Sequence, residues 1–252
     1  MVSPILQVKS LTKAYETTYG ELLVVDNINF SVMPGEFVCI VGPSGSGKTT
    51  LLQMLGGLLT PTEGAVLLAG QPLVAPPQEI SMVFQKPNLM PWRTVLDNVT
   101  LPLQIQGVPR QEANEKGQRI LQLVGLSEFA QAHPRELSGG MEQRVAVARA
   151  LVQQPRILLL DEPFGALDAL TRERLNREIL HLWRTQKLTA IMVTHNIHEA
   201  VLLADRVLVL SPRPAVIVAD FQIDLPRPRP QGIEYRESFG ALAYQIRQAI
   251  RE

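Results

Sequence analysis

GPSGSGKT, residues 42–49, decides the fold of this chain. The stretch matches the pattern G-x-x-x-x-G-K-[ST] and follows an apolar run, Phe37–Val41, that predicts a buried strand. A helix is predicted after it, because Leu51, Leu55 and Leu58 share one helical face. A plain glycine turn is the alternative, but a loop between a strand and a helix is the setting in which backbone N–H groups surround nucleotide phosphates. The residues predicted to bind a nucleoside triphosphate are Gly42, Pro43, Ser44, Gly45, Ser46, Gly47, Lys48, Thr49 and Thr50.

The composition, together with the lack of signal-peptide and membrane-spanning patterns, predicts a soluble, cytoplasmic protein. Of the 252 residues, 46% are hydrophobic and 19% are charged, which permits a sizeable core and argues against disorder. Lys and Arg together number 24, as do Asp and Glu, so the net charge does not indicate a general nucleic-acid binder. The N-terminus lacks the pattern of a signal peptide, and no apolar run reaches about 18 residues. Cys39 lies in the run FVCIV, where a buried core residue is expected.

The periodicity along the chain predicts one α/β domain, residues 1–252, with an N-terminal antiparallel β-subdomain and a helical insertion at about 87–150. Residues 5–38 alternate apolar and polar positions, as half-exposed strands do. After residue 150 short apolar runs predict buried parallel strands at Ile157–Leu160, Ala190–Thr194 and Val207–Leu210. An amphipathic helix is expected at about 235–251. We expect it to dock on the domain, because its polar face is not basic enough to favour a membrane surface.

The run ILLLDEP, residues 157–163, places two acidic residues at the end of a predicted buried strand. Ligands of open α/β sheets bind at this edge. Asp161 suits Mg²⁺, and Glu162 suits the general base that polarises an attacking water. Alone, such a strand end is more often merely solvated. Together with the phosphate loop it predicts nucleotide hydrolysis.

Two more polar residues end predicted strands and suit the same chemistry. His195, in IMVTHN, could hydrogen-bond a γ-phosphate, and the Gln85 amide, after ISMVF, could contact Mg²⁺ or the attacking water. Lys48 completes this predicted catalytic set through the outer phosphates. A zinc site at His195 and His198 is disfavoured, because no third ligand lies nearby in the sequence.

ELSGGMEQRVAVARA, residues 136–150, predicts a second anion site. Ser138 suits a helix N-cap, and Gly139 and Gly140 leave the backbone N–H groups open to approach. A helix start of this kind favours anions. The residues alone do not say which anion binds there.

In order and spacing, these motifs resemble those of the ATP-binding subunit of ABC transporters, over nearly the whole chain. The resemblance implies a P-loop NTPase (RecA-like) core, with ATP and Mg²⁺ as ligands. It also implies that Tyr15, in LTKAY, stacks on adenine; Tyr19 and core packing of Tyr15 are the alternatives. The family motifs are GPSGSGKT as Walker A, Gln85 as the Q-loop residue, LSGGM as the signature, ILLLDE as Walker B, Ala166-Leu167-Asp168 as the D-loop and His195 as the switch histidine.

The resemblance also implies partners. In this family two subunits pack head to tail, so that Ser138, Gly139 and Gly140 of one close over the γ-phosphate held by the other. Asp168 would then report across that interface. ATP closes such a dimer and hydrolysis opens it, as in other switches set by a γ-phosphate. The second subunit is a copy of this chain or a related one.

Several stretches are similar to importer ATPases for nitrate, sulfonate, taurine and related small anions. They are MVFQKPNLMPWRTVLDNV, DEPFGALDALTRERL and the VLSPRP…IDLPRPRP tail. This branch implies membrane permease subunits, with Leu89, Met90, Pro91 and Trp92 as a docking patch; the alternative is that these residues cap the core of the insertion. A solute-binding protein outside the membrane would take part indirectly. Asn196 replaces the more usual Asp, which we expect to be tolerated.

The resemblance places the chain at the cytoplasmic face of the membrane, and nucleic acid is not an expected partner. Two other interpretations stay open. One is a soluble ABC ATPase of DNA repair or translation, which the neutral charge and the single cassette disfavour. The other is the ATPase of an exporter or of another importer branch.

Overall fold

The computed structural model describes residues 3–18, 20–165, 168–186 and 188–251. They pack as two compact units, unit 1 being residues 1–77 and 189–252 and unit 2 being residues 78–188. The sequence-based organisation, one domain with a helical insertion at about 87–150, stays a prediction. In chain order the strands and α-helices are β1 (Leu6–Thr17), β2 (Gly20–Val32), β3 (Phe37–Val41), α1 (Lys48–Leu55), β4 (Glu63–Leu68), β5 (Gln71–Pro72), β6 (Ile80–Val83), α2 (Val95–Ile105), α3 (Arg110–Leu123), α4 (Gly139–Leu151), β7 (Ile157–Asp161), α5 (Ala169–Gln186), β8 (Thr189–Thr194), α6 (Ile197–Leu203), β9 (Arg206–Leu210), β10 (Ile217–Gln222) and α7 (Glu237–Arg251).

Unit 1 contains the antiparallel sheet that the N-terminal alternation predicts. Its strands lie in the order β2-β1-β4-β5, and all three neighbouring pairs are antiparallel. Ile28, Phe30 and Val32 of β2 are buried, whereas the residues between them are not. Successive strand residues point to opposite faces, so this alternation gives the sheet one apolar face.

A second sheet in unit 1 positions the phosphate loop. Its strands lie in the order β10-β9-β3-β8, with β3 parallel to both β8 and β9. All residues of β3 and β8 are buried, including Cys39, and this burial raises the pKa of the Cys39 thiol. Val41 lies opposite Thr194. The segments that begin at Gly42 and His195 therefore leave the same edge of the sheet side by side.

The helix after the phosphate loop is shorter than predicted. α1 ends at Leu55, and Leu58 is 50% exposed, so Leu58 does not belong to the buried face of this helix. Gly56 and Gly57 follow Leu55, and Gly57 adopts a φ of 70°. A side chain at Gly57 would come within 2.8 Å of the Ala75 carbonyl oxygen. The glycine therefore ends the helix where the chain passes close to another backbone segment.

Unit 2 pairs the predicted strands β6 and β7 in parallel and surrounds them with helices. Val83 pairs with Leu160 on the neighbouring strand. Gln85 comes two residues after Val83, and Glu162 comes two residues after Leu160. Thr94 caps α2, and its Oγ1 accepts the Asp97 N–H at 3.1 Å. Among the described residues, no helix combines the length and apolar character needed to cross a bilayer.

The C-terminal segment packs within unit 1, where α7 contacts α6, as expected for a docked helix. Phe239 and Ile246 of α7 are buried, and the Phe239 ring lies 5.9 Å from that of His198. Two arginines of the preceding LPRPRP stretch donate to carbonyls at the end of α6. Arg229 donates to Leu202 O and Ala204 O, and Arg227 donates to Leu203 O at 2.6 Å. The last carbonyls of a helix lack intrahelical partners, so the arginines serve as its cap.

We expect Arg229→Ala to destabilise unit 1 by about 2 kcal/mol, because two charge-assisted hydrogen bonds are lost. Desolvation on burial, reinforced by the charge of Arg227, lowers the pKa of Arg229 to about 10, so the side chain is still charged at neutral pH. The measurement is the midpoint of urea unfolding. Arg247→Ala removes an exposed charge from α7 and serves as the control. Equal midpoints for the two variants would contradict the capping role.

Candidate active site

The phosphate loop in unit 1 brings two donors to one point. Lys48 is 6% exposed, and its Nζ donates to Gly42 O at 3.0 Å and to Pro43 O at 2.7 Å. The Ser46 N–H donates to the same Pro43 oxygen at 3.3 Å. The Ser46 side chain is buried, and its Oγ has no hydrogen-bond partner among the residues that the structure describes. Converging donors beside an unsatisfied buried hydroxyl suit an anion with several oxygens.

Gly47 is required where the loop enters α1. Its φ is 96°, and a Cβ there would lie 2.9 Å from Val24 Cγ1. The loop thus lies directly against β2. Thr49 is exposed in the first turn of α1, and Thr50 is partly buried. Their position at a helix start that follows a glycine-rich loop is the one expected for phosphate and Mg²⁺ contacts.

His195 follows β8 and lies exposed at the edge that also carries the phosphate loop. The residues on either side of it are held by hydrogen bonds. Thr194 Oγ1 donates to Glu199 Oε2 at 2.9 Å and accepts the Asn196 N–H at 3.0 Å. The Asn196 side chain caps α6 by accepting the His198 and Glu199 N–H groups. An amide oxygen caps a helix as well as a carboxylate does, which explains why Asn suits this position.

Tyr15 lies on β1 and is 37% exposed, and the Lys13 ammonium is 5.2 Å from its ring centroid. This exposure argues against the alternative in which Tyr15 packs in the core. Tyr19, the other candidate for stacking on adenine, lies outside the described residues. Tyr15 as the adenine platform stays a prediction.

Unit 2 brings three predicted residues together at the ends of β6 and β7. Asp161 is the last residue of β7 and is 5% exposed. Glu162 follows with a φ of 42°, an uncommon backbone for a residue with a side chain. Such conformations cost about 1–3 kcal/mol and are concentrated at functional sites. The Gln85 Nε2 amide donates to Glu162 Oε2 at 3.4 Å, so the Q-loop glutamine contacts the predicted base.

The chemistry of the predicted metal ligands fits Mg²⁺. This ion prefers oxygen ligands, and it is held by few protein groups together with water and phosphate. Asp161 supplies a carboxylate and Thr49 a hydroxyl. Gln85 uses its amide nitrogen in the contact with Glu162, and its carbonyl oxygen takes no part in that bond.

The signature segment, also in unit 2, forms the predicted helix start. Ser138 is the N-cap of α4, and its Oγ accepts the Met141 N–H at 3.4 Å. Val145 and Ala148 are fully buried and Val152 nearly so, which gives this helix one apolar face. Asp168 caps α5 in the same way and accepts the Thr171 N–H at 3.0 Å. That hydrogen bond lowers the pKa of Asp168. Ala166 and Leu167 of the D-loop lie outside the described residues.

Two residues for which the sequence predicted no role hold residues 87–90, the segment after Gln85, in place. Arg149, near the end of α4, donates to Pro87 O at 2.6 Å and to Asn88 O at 2.9 Å. Asn98 is fully buried in α2 and binds both the N–H and the carbonyl of Met90. The sequence signal for Asn98 is its position as a polar residue inside an apolar helix face. The sequence contains no such signal for Arg149.

The phosphate loop after a buried parallel strand, with a polar residue ending the neighbouring strand, defines the class of P-loop nucleoside triphosphatases. The family model described as ABC transporter matches residues 25–165. The chain therefore belongs to the ABC transporter family.

Relatives and solved structures agree with this assignment. The nitrate import ATP-binding protein NrtD of Synechocystis sp. is 45% identical over 221 residues, which cover 88% of this chain and 83% of that protein. The bicarbonate transport ATP-binding protein CmpD of Synechococcus elongatus is 43% identical over 230 residues, covering 90% and 82%. A dimeric, post-hydrolysis ATP-binding cassette bound to ADP and Pi is 33% identical with a TM-score of 0.77 over 88% of this chain and 100% of that one. The predicted α/β P-loop fold is thus confirmed.

Proposed function

We propose that this chain is the ATP-binding and ATP-hydrolysing subunit of an ABC importer for a small anion such as nitrate, bicarbonate, a sulfonate or taurine. The observation that carries the proposal is the complete set of nucleotide motifs in a chain similar to nitrate and bicarbonate import subunits. Among the described residues, no helix could cross a membrane. We infer that the chain binds peripherally at the cytoplasmic face of membrane permease subunits, and that a solute-binding protein takes part only indirectly.

The proposed reaction is transfer of the γ-phosphoryl group of ATP to water. Glu162 accepts a proton from the water while the water oxygen forms a bond to the γ-phosphorus. The bond between the γ-phosphorus and the oxygen that bridges it to the β-phosphate breaks, which gives ADP and phosphate. Lys48 and the backbone N–H groups of the loop hold phosphate oxygens, and His195 donates to the γ-phosphate. Gln85 positions Glu162 and the water. Thr49, Asp161 and the Gln85 oxygen would hold Mg²⁺, which when bound would supply charge neutralisation at the phosphates.

The signature helix accounts for the proposed dimer. One phosphate loop provides the contacts for one triphosphate, so the helix start at Ser138 is a second anion site. In a head-to-tail pair, Ser138, Gly139 and Gly140 of each subunit face the γ-phosphate held by the other, and Asp168 reports across the interface. Hydrolysis removes the anion that holds the subunits together.

The segment Leu89–Trp92 is the proposed permease-docking patch. The Trp92 side chain is 74% exposed and Pro91 is also exposed, whereas Leu89 and Met90 are partly buried. Arg149 holds the backbone before this segment at Asn88, and Asn98 holds it within the segment at Met90 and after it at Arg93. A rigid turn with an exposed tryptophan has the properties of an interface hot spot.

The function is tested by capturing the affinity-tagged chain from membranes of its source organism and identifying the proteins bound to it. We expect permease subunits in the wild-type capture and about tenfold less or lower recovery for Trp92→Ala, because a central tryptophan dominates the energy of an interface. Ile105→Ala removes an equally exposed apolar side chain of unit 2 and is the control. Ribosomes or DNA in place of a permease would contradict the importer function, and equal recovery of both variants would contradict the docking patch.

A further inference from the structure

The VLSPRP stretch after β9 forms a turn that is attached to β2 rather than a loose surface loop. The Ser211 hydroxyl, with its single proton, lies 2.8 Å from Pro212 O and 3.0 Å from Pro214 O, and its Oγ accepts the Val216 N–H at 3.0 Å. Ala215 is buried and bonds to β2 through both its N–H and its carbonyl, each at 2.9 Å. This turn, residues 211–216, is therefore a rigid support within unit 1.

Arg213 extends from this turn to the phosphate loop. Its Nη2 donates to Gly45 O at 2.9 Å, and its Nε approaches the same oxygen at 3.3 Å. The two residues are 168 positions apart in the sequence. The side chain itself is exposed, so its role lies in this contact rather than in filling the core.

The contact with Gly45 O fixes the orientation of the next N–H group. In a planar trans peptide, the carbonyl and the following N–H point in opposite directions. Because Arg213 binds the Gly45 carbonyl, the Ser46 N–H points away from Arg213. This N–H donates to Pro43 O, the oxygen that Lys48 Nζ also contacts.

Both the turn and the phosphate loop rest on β2. The turn bonds to Val24 O and to the Asp26 N–H through Ala215, and Gly47 of the loop lies against the Val24 side chain. A guanidinium held on such a support keeps its acceptor in place with little loss of side-chain entropy.

We propose that Arg213 is a positioning residue of the phosphate loop: it orients the Gly45–Ser46 peptide and so holds the turn from Pro43 to Ser46 in the shape that the loop needs to bind phosphates. The inference rests on the proposed role of residues 42–49 in nucleotide binding. It predicts weaker binding of both ATP and ADP without Arg213, because the loop must then order its own peptide when it binds. The rate of hydrolysis at saturating ATP changes little, since Arg213 does not contact the reacting atoms.

A direct attraction between the Arg213 charge and the phosphates would also weaken binding when Arg213 is replaced, so the test separates charge from geometry. Arg213→Gln removes the charge but places an amide nitrogen near the position of Nε, where it can donate to Gly45 O. Arg213→Ala removes both the charge and the donor to Gly45 O. Arg236→Ala removes an exposed charge elsewhere in unit 1 and is the matched control.

The experiment measures Kd for ATP and ADP by isothermal titration with the full chain, together with KM and kcat. We expect Arg213→Ala to raise Kd and KM about five- to tenfold, as loss of a charge-assisted hydrogen bond would, with kcat within about twofold of wild type. Arg213→Gln recovers most of the affinity and Arg236→Ala matches wild type. The unfolding midpoints without nucleotide should agree for all variants.

Wild-type affinity in Arg213→Ala overturns the inference. So does a loss of equal size in Arg213→Gln that shrinks at high salt, because exposed charges are screened and the charge would then be acting directly. Lys48→Ala is measured in parallel. If Lys48→Ala retains nucleotide affinity, the proposed role of residues 42–49 in nucleotide binding is wrong. If Lys48→Ala loses affinity while the Arg213 variants bind nucleotide as the wild type does, the role of the loop is retained and the positioning role of Arg213 is wrong.

Discussion

The Glu162→Gln variant should bind ATP and fail to hydrolyse it. The substitution keeps the shape of the side chain, and the new amide oxygen can still accept the Gln85 N–H that lies 3.4 Å from Glu162 Oε2. What is lost is the capacity to take a proton from water. General-base catalysis contributes about 10²–10⁴-fold to a rate, so we expect phosphate release to fall by that factor while Kd for ATP stays close to the wild-type value.

The oligomeric state in the presence of ATP provides a second test of Glu162 as the general base. If hydrolysis opens the dimer, ATP should hold Glu162→Gln as a dimer that light scattering detects, whereas the wild type returns to monomer as ATP is consumed. Glu128→Gln removes an exposed carboxylate from the same unit and should behave as wild type. Hydrolysis at the wild-type rate in Glu162→Gln would show that another group is the general base.

Substitution of Ser138 should abolish dimer-dependent hydrolysis without weakening nucleotide binding by the isolated chain. Ser138 has two functions that must be separated. Its Oγ accepts the Met141 N–H as the cap of α4, and its hydroxyl proton is the proposed donor to the γ-phosphate of the facing subunit. Loss of the cap alone costs about 1 kcal/mol of stability.

Two substitutions at Ser138 distinguish capping from anion binding. Ser138→Asp keeps a good N-cap but places a carboxylate against the γ-phosphate, so hydrolysis should fall about a hundredfold or more while α4 stays capped. Ser138→Thr keeps both the cap and the hydroxyl, and should retain most of the activity. Ser127→Ala removes the hydroxyl of an exposed serine of unit 2 as a control. Normal turnover in Ser138→Asp would exclude the signature helix as half of an ATP site.

Local patterns were sufficient to predict most of the chemistry. The phosphate loop, the acidic end of β7 and the cap at Ser138 depend on residues adjacent in the chain, and the structure shows the loop, the strand end and the cap. The predicted helix through Leu58 was wrong, because the apolar period continued past the glycines that end α1. Periodicity records which residues prefer an apolar face, but close backbone approaches at a glycine have no such signature.

The sequence by itself determined the class of fold, the nucleotide chemistry and the residue types that perform it, because these follow from periodicity and from short motifs with backbone-level reasons. Only the tertiary structure decided which distant residues meet: Gln85 with Glu162, Arg149 with the Pro87 carbonyl and Arg213 with the phosphate loop. Such contacts depend on strand register and on the directions of long side chains. Arginines that bind backbone carbonyls can use any carbonyl within reach, so the sequence carries no partner signal for them.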